Sequence, residues 1–294
     1  MTDPEPVTDR EPVTGPEPVT DPGSTTGAQV RTEDLVALLP VATAAVDLAA
    51  DLIRTGRPGA LTAKGERDMA SEVDFAVERA VREYLRRRTP QIGFVGEEEG
   101  SLDPDAELVW VLDPVDGTVN FVHGLPLVAV SLGLLRAGRP VLGVIDLPLL
   151  GQRYWAVEGA GAYADGKRIS ANRPTGLDEA LVAIGDYAVG SGAAGRNRER
   201  LAMTAALVSR AQRVRMLGTA AVDLAWLASG RLDALVMFSN NPWDVTAGVV
   251  LAREAGARTV DRDGSEHTLA ATATIAAASP VLDEILALVR GLAD

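Results

Sequence analysis

From Thr32 to about Thr55 the apolar residues Leu35, Val36, Leu38, Leu39, Val46, Leu48, Leu52 and Ile53 recur at helical spacing, as in a helix that turns one face to a core. Pro40 interrupts the run and either kinks it or starts a new helix, because proline donates no backbone hydrogen bond. A second helix is predicted from near Ser71, through Val73, Phe75, Ala76, Val77, Val81 and Tyr84, to Arg86, Arg87 and Arg88. Cations suit a helix C-terminus, so the arginine run reads as a solvated helix end rather than a binding patch. After it come short β-like runs at 92–95, 107–112, 127–136, 141–145 and 153–157. Ala137-Gly138-Arg139-Pro140 is a plausible hairpin connection between two of them. In the second half, strands expected at 181–184, 213–217, 232–238 and 274–278 alternate with helices near 198–210, 220–229, 246–255 and 281–292. Interleaved helices and strands with adjacent hairpins predict a layered α/β architecture with mixed sheets.

Residues 1–28 follow a different pattern. They hold three near-copies of one unit, EPVTDR from Glu5, EPVTGP from Glu11 and EPVTDP from Glu17. So much proline, threonine and acid cannot bury enough apolar surface to offset the entropy of ordering, and a disordered tail is expected.

Composition narrows the chemistry. With 294 residues and 47% hydrophobic content the chain can build a sizeable core. Its net charge of −13 argues against a nucleic-acid partner, which would be held through Lys and Arg. Any phosphorylated ligand then needs a local source of positive charge. The absence of cysteine removes disulfides, thiolate zinc sites and attack through sulfur, and fits a reducing, cytoplasmic location. His123 and His267 are the only histidines, too few for an imidazole cluster. No uninterrupted apolar stretch reaches the roughly 18 residues that cross a bilayer, and no signal core begins the chain, so a soluble protein without a membrane partner is expected.

Three segments carry candidate chemistry. In Trp110-Val111-Leu112-Asp113-Pro114-Val115-Asp116-Gly117-Thr118 an apolar strand is expected to end at Asp113, where Pro114 forbids continuation. Asp116, Gly117 and Thr118 then open a turn whose backbone N–H groups can face an anion. Asp113 and Asp116 can converge on one hard cation, with the Val115 carbonyl between them. A plain turn explains Asp, Pro and Gly equally well. An EF-hand loop is excluded by spacing. An aspartyl-phosphate mechanism is disfavoured because Pro114 stands where its nucleophile belongs. The second segment, Gly96-Glu97-Glu98-Glu99-Gly100, could be merely a solvated acidic loop. In the third, Pro242-Trp243-Asp244-Val245-Thr246-Ala247-Gly248, Asp244 could be a helix N-cap. Gly159-x-Gly161-x-x-Ala164 mimics a dinucleotide fingerprint, but Asp165-Gly166 follows it and a hairpin is expected instead.

Together the acidic GEE loop, the LDPVDGTVNF run from Leu112 to Phe121 and the late WDVTAG resemble, in order, the inositol monophosphatase family; weaker correspondence runs from Lys64 to the end of the chain. The resemblance implies a layered αβαβα sandwich, usually dimeric, with a metal-binding subdomain over 29–170 and a subdomain over 171–294 that completes the site. It implies magnesium as cofactor. Glu97, Asp113 and the carbonyl of Val115 would hold one ion, Asp113, Asp116 and Asp244 a second, and Glu97 a loosely bound third. Two Mg²⁺ would cancel the four carboxylate charges and leave faces for a phosphate dianion. Asp74 and Thr118 would take a proton from the attacking water, with Glu97 counted beside them as catalytic. Ser71-x-x-Asp74 is, however, also a capping box for the second helix. Substrate contacts would fall on Asp116, Gly117, Thr118, Gly218, Thr219 and Asp244. The implied reaction is hydrolysis of a small phosphate monoester, foremost inositol 1-phosphate. Met237 stands where inositol-specific members carry a Glu, and a thioether cannot replace that acceptor. Histidinol phosphate, or a noncatalytic role in binding metal and a phosphorylated ligand, is the alternative.

Overall fold

A computed structural model describes residues 31–65 and 68–292; the repeat segment 1–28 lies outside them. Helix α1 spans Thr32–Thr55 without a break, with Pro40 inside it. The Val36 carbonyl that proline leaves without a donor belongs to a residue 41% exposed, so water can serve it. Seven residues of α1, from Leu35 to Ile53, are buried. By length and a mean hydropathy of 1.9, α1 could cross a membrane; here it lies against the second helix and the larger sheet. That helix, α2, covers Glu72–Arg88 and is preceded by a hairpin of Leu61–Gly65 and Asp68–Ser71, which the polar sequence did not announce.

The larger sheet has eight strands. From one edge they are Lys167–Arg168, Gly161–Ala164, Gln152–Val157, Arg139–Leu147, Ala129–Arg136, Leu108–Asp116, Gly93–Gly96 and Ser101–Leu102. All neighbours are antiparallel except Gly93–Gly96 beside Leu108–Asp116, which run parallel. The expected hairpins at 137–140 and after Gly161 are both present. One expectation fails: the strand from Leu108 does not stop at Asp113 but continues to Asp116. Its register with the neighbouring strand passes from Asp113 opposite Ser131 to Asp116 opposite Ala129, with a shift between. Pro114 sits inside that irregularity, where no ladder donor is needed.

A short helix α3, Thr118–Val122, follows directly. The second sheet has five strands in the order Arg213–Arg215, Leu181–Ile184, Ala234–Met237, Thr274–Ala277 and Arg258–Val260. The first three are parallel, and Thr274–Ala277 is antiparallel to both its neighbours. Helices α4 (Ala193–Val208), α5 (Ala220–Ala228), α6 (Pro242–Glu254) and α7 (Ser279–Arg290) complete the chain. α6 starts before the expected Thr246 because Pro242, whose fixed φ suits a first turn, opens it.

Two apolar clusters place α5 and α6 between the sheets. One joins them to the larger sheet through Ile145, Tyr154 and Ala156, the other to the smaller through Ala183, Leu235 and Ala276. A third buries α4 and α7 on the far face of the smaller sheet through Met203, Leu207, Val281 and Ile285. With α1 and α2 outside the larger sheet, the layers read αβαβα, as expected. Gly133 and Gly143 face each other across two strands. A Cβ on Gly143 would lie 2.7 Å from the Ala247 Cα, and one on Gly133 would lie 2.3 Å from the Thr246 Cγ2. The pair therefore lets α6 press onto the sheet.

Candidate active site

The parallel pair of strands starts the site. Gly96 lies opposite Leu112, so Glu97, just past the carboxyl end of its strand, stands level with Asp113 near the carboxyl end of the neighbouring one, the usual position for ligand sites in such sheets. Asp113 is 2% exposed. Its Oδ1 accepts the Val115 N–H at 3.0 Å, which satisfies the amide freed by the irregular strand. Ser131, the register partner of Asp113, donates to the Trp243 carbonyl at 3.3 Å and so brings Asp244 alongside. Asp244 is not the N-cap of α6; that position belongs to Asn241, whose Nδ2 donates to Asp244 Oδ2 at 3.1 Å.

Asp116 is held from the other half of the chain. Its Oδ2 accepts the Thr219 hydroxyl at 2.7 Å and the Ala221 N–H at 2.6 Å. Thr219 is also the N-cap of α5, accepting from the Val222 N–H at 3.3 Å. The carboxylate thus lies at the positive end of a helix. Gly117 has φ +91 and caps α3, and a Cβ there would lie 2.9 Å from the Leu127 carbonyl. Gly218 has φ +75, and the side-chain amide of Asn120 lies 3.3 Å from where its Cβ would stand. Asn120 donates to the Leu127 and Leu217 carbonyls at 2.9 and 2.8 Å, tying α3 to the Gly218-Thr219 segment.

Asp74 makes hydrogen bonds in two directions. Oδ2 accepts from the Ser71 N–H at 3.0 Å and from the Ser71 hydroxyl, closing the capping box. Oδ1 accepts from the Thr118 hydroxyl at 3.1 Å. The same hydroxyl lies 3.1 Å from the Val115 carbonyl. Burial pushes the Asp74 carboxyl up, against the hydrogen bonds from Ser71 and Thr118.

The acidic loop is no loose solvated turn. Glu78, buried on α2, accepts the N–H groups of Glu98 and Glu99 at 2.7 and 2.8 Å and pairs with Arg82 at 2.9 Å. A Cβ on Gly96 would lie 2.4 Å from the Glu78 carboxylate, so only glycine admits this anchor. Lys64 Nζ holds Glu97 at 2.5 Å and Glu98 at 2.8 Å. Burial alone would lower the pKa of the Lys64 ammonium, but the two glutamates raise it instead.

Mutual repulsion ties the acids together. Burial pushes the Asp113 carboxyl well up, and Glu97, Asp116 and Asp244 push it further. Asp244 is raised by burial, then by Asp116 and Glu97. Asp116 rises to about 7 through burial and Glu97, against the hydrogen bonds of Ala221 and Thr219. Oxygen-only donors whose charges oppose one another fit a hard divalent cation. As the side chains stand, no three of them close on one point among the described residues, and Glu97 is engaged by Lys64.

Beside Asp116 and Asp244 opens a cleft of about 300 Å³. Gly218, Thr219 and Met237 line it, together with Asp186, Arg196, Arg200 and Asp223, none of which the sequence reading singled out. Met237 packs on Gly185, where a Cβ would meet its Cγ at 2.6 Å. Glu78 and Asn120 were missed too. Asn120 lay inside the quoted LDPVDGTVNF run, which was the only signal for it. Glu78, on a helix read for its apolar face, gave none.

Residues 34–292 match the sequence profile of the inositol monophosphatase family. The chain is 37% identical over 267 residues to an inositol-1-monophosphatase, ImpA, of Mycolicibacterium smegmatis, covering 90% of this chain and 96% of that one. It is 32% identical over 226 residues to a fructose-1,6-bisphosphatase/inositol-1-monophosphatase of Thermotoga maritima, covering 77% and 84%. The fold superposes on the extragenic suppressor protein SuhB of Bartonella henselae with a TM-score of 0.81 at 27% identity, over 86% of this chain and 98% of that one. Matching layers, motifs in matching order and a profile spanning nearly every described residue lead to one assignment: the chain belongs to the inositol monophosphatase family, a family of phosphoric monoester hydrolases.

Proposed function

We propose that the protein hydrolyses a small phosphate monoester in a magnesium-dependent reaction, with inositol 1-phosphate the foremost substrate and histidinol phosphate the second candidate. The observation that carries the reading is the set formed by buried Asp113 and Asp116 with half-buried Glu97 and Asp244, whose charges oppose one another and among which Lys64 pairs with Glu97. In this reading Glu97, Asp113, Asp116, Asp244 and the Val115 carbonyl hold two magnesium ions, and Glu97 a third. Magnesium supplies Lewis acidity toward the attacking water and the leaving oxygen.

The chain's own residues then divide the work. Asp74 Oδ1, reached by the Thr118 hydroxyl, receives the proton of the attacking water through that hydroxyl. Asp116 is kept in place by Thr219 and the Ala221 amide. The amides of Gly117 and Thr118, at the start of α3, receive the phosphate oxygens. The 300 Å³ cleft takes the alcohol portion. Similarity to inositol-1-monophosphatases and to a fructose-1,6-bisphosphatase/inositol-1-monophosphatase supports the substrate class. A homodimer in the cytoplasm belongs to the same reading. It rests on the family and on the absence of cysteine.

Phosphate release from inositol 1-phosphate, histidinol phosphate and fructose bisphosphate is the test, with magnesium supplied and then chelated. Release that stops on chelation and returns with magnesium is expected. Release that chelator leaves untouched overturns the metal, and binding of phosphate esters without any release turns the protein into a noncatalytic relative.

A further inference from the structure

The cleft wall holds an acid to which the proposed reaction gives no task. Asp223 lies one turn after Thr219 on α5, on the same helix face, and lines the cleft that Asp116 and Asp244 also line. It is 2% exposed, and its Oδ1 has no hydrogen-bond partner among the described residues. The basic side chains of the cleft are committed elsewhere. Arg200 donates to the Asp186 and Phe238 carbonyls at 2.6 and 2.7 Å, and Arg196 to the Val189 and Ser191 carbonyls at 3.2 Å. A buried carboxylate lacking a partner weakens a fold, since the acceptor gave up its hydrogen bonds to water and received none in return. Such a group at the wall of a ligand cleft is satisfied by a donor that the ligand brings. The opposite requirement is visible at Met237 in the same wall, which can accept nothing of that strength.

Resting on the hydrolase reading above, we propose that Asp223 is a specificity residue that accepts a hydrogen bond from the alcohol portion of the substrate, from a hydroxyl or an ammonium. It supplies from α5 the carboxylate that position 237 lacks. A substrate with such a donor gains affinity; one without it leaves the buried oxygen unpaired and is discriminated against.

The test uses the full chain with magnesium. Wild type, Asp223→Asn and Asp223→Leu are compared on inositol 1-phosphate, which carries hydroxyls, on histidinol phosphate, which carries an ammonium, and on p-nitrophenyl phosphate, which carries neither. The expected result is a fall of about tenfold to a hundredfold in the ratio of kcat/KM for a donor-bearing ester to that for p-nitrophenyl phosphate, carried mainly by KM. Which of the two ratios falls tells hydroxyl from ammonium. Melting temperature should hold or rise in Asp223→Asn, because the charge of the buried carboxylate is gone and the neutral amide oxygen that stays is less costly to bury. If Asp223→Leu does not fold, the asparagine variant reads the same ratio with a smaller fall, because its neutral amide oxygen is a weaker acceptor than a carboxylate. Equal losses on all three esters, or ratios that do not move, overturn the proposal and make Asp223 a support for α5. Wild-type protein that releases phosphate from none of the three sinks the hydrolase reading, and this inference with it.

Discussion

Asp74 divides its two oxygens between the start of α2 and the Thr118 hydroxyl, so one residue can be tested for two roles. Ser71→Ala removes the hydroxyl of the capping box and leaves the Thr118 contact, so it should cost about 1 kcal/mol in urea denaturation and change turnover only a few-fold. Asp74→Asn removes the proposed proton acceptor. Turnover should fall by about 10² to 10⁴, while the loss of stability stays near that of Ser71→Ala. A large loss of stability with unchanged turnover would assign Asp74 to the cap alone. Glu78 offers a second residue-scale test. Its carboxylate receives two loop amides, and Glu78→Gln presents a donor where an acceptor is needed. The variant should lose about 1 to 3 kcal/mol of stability, and the magnesium concentration for half-maximal phosphate release should rise, because the loop carrying Glu97 loses its anchor.

At the scale of elements, the site depends on how closely α6 approaches the larger sheet. Asp244 sits in the first turn of that helix, and the contact beneath it is made against Gly133 and Gly143 rather than against side chains. Gly143→Ala places a methyl group 2.4 Å from the Ala247 carbonyl oxygen. The backbone of a packed helix cannot yield that distance locally, so α6 shifts as a body. Overpacking of this kind costs about 1 to 3 kcal/mol, and activity should drop further than stability does because Asp244 moves with the helix. Urea denaturation paired with phosphate release checks it. An active variant of wild-type stability would show that the close approach is not needed. Proline placement is also decided by element packing. Pro40 is accommodated on the solvent side of α1, and Pro114 within a strand irregularity whose free amide finds Asp113.

For the whole molecule, the acid limb of stability has an identifiable contributor. His267 is 2% exposed, and its Nε2 is 3.0 Å from the Thr274 hydroxyl. Burial, and after it Arg253, holds the imidazole down at about 4, against an ordinary 6.5. The unfolded chain takes up its proton as pH falls through 6.5, whereas the native protein waits until about 4. Stability from this group is therefore complete above pH 6.5 and is lost as pH falls through that window, by at most about 3 kcal/mol. Urea midpoints measured from pH 7 to 4 should show this decline, and His267→Gln should flatten it. A decline of the same size in the variant would place the effect on other groups.

Much of this architecture is written in local pattern. The helices of 32–55 and 71–88, the strands of the second half and the hairpins at 137–140 and 159–168 follow from periodicity and turn chemistry, which act between near neighbours and need no partner to be recognised. The segments that carry the acids were legible too, because Asp, Pro and Gly clustered after an apolar run are a local signal, although the strand runs through that cluster to Asp116. What the sequence could not hold is anything that exists only when distant segments meet. Thr219 and Ala221 on Asp116, Glu78 beneath the acidic loop, Asn120 across two loops and Asp223 facing the cleft owe their meaning to neighbours far away in the chain. Asp74, a cap by spacing, also receives the Thr118 hydroxyl, a contact that arrives from another element. Local propensity depends on the backbone a residue shares with its neighbours. Burial, charge repulsion and an unmade hydrogen bond depend on which surfaces the fold brings together.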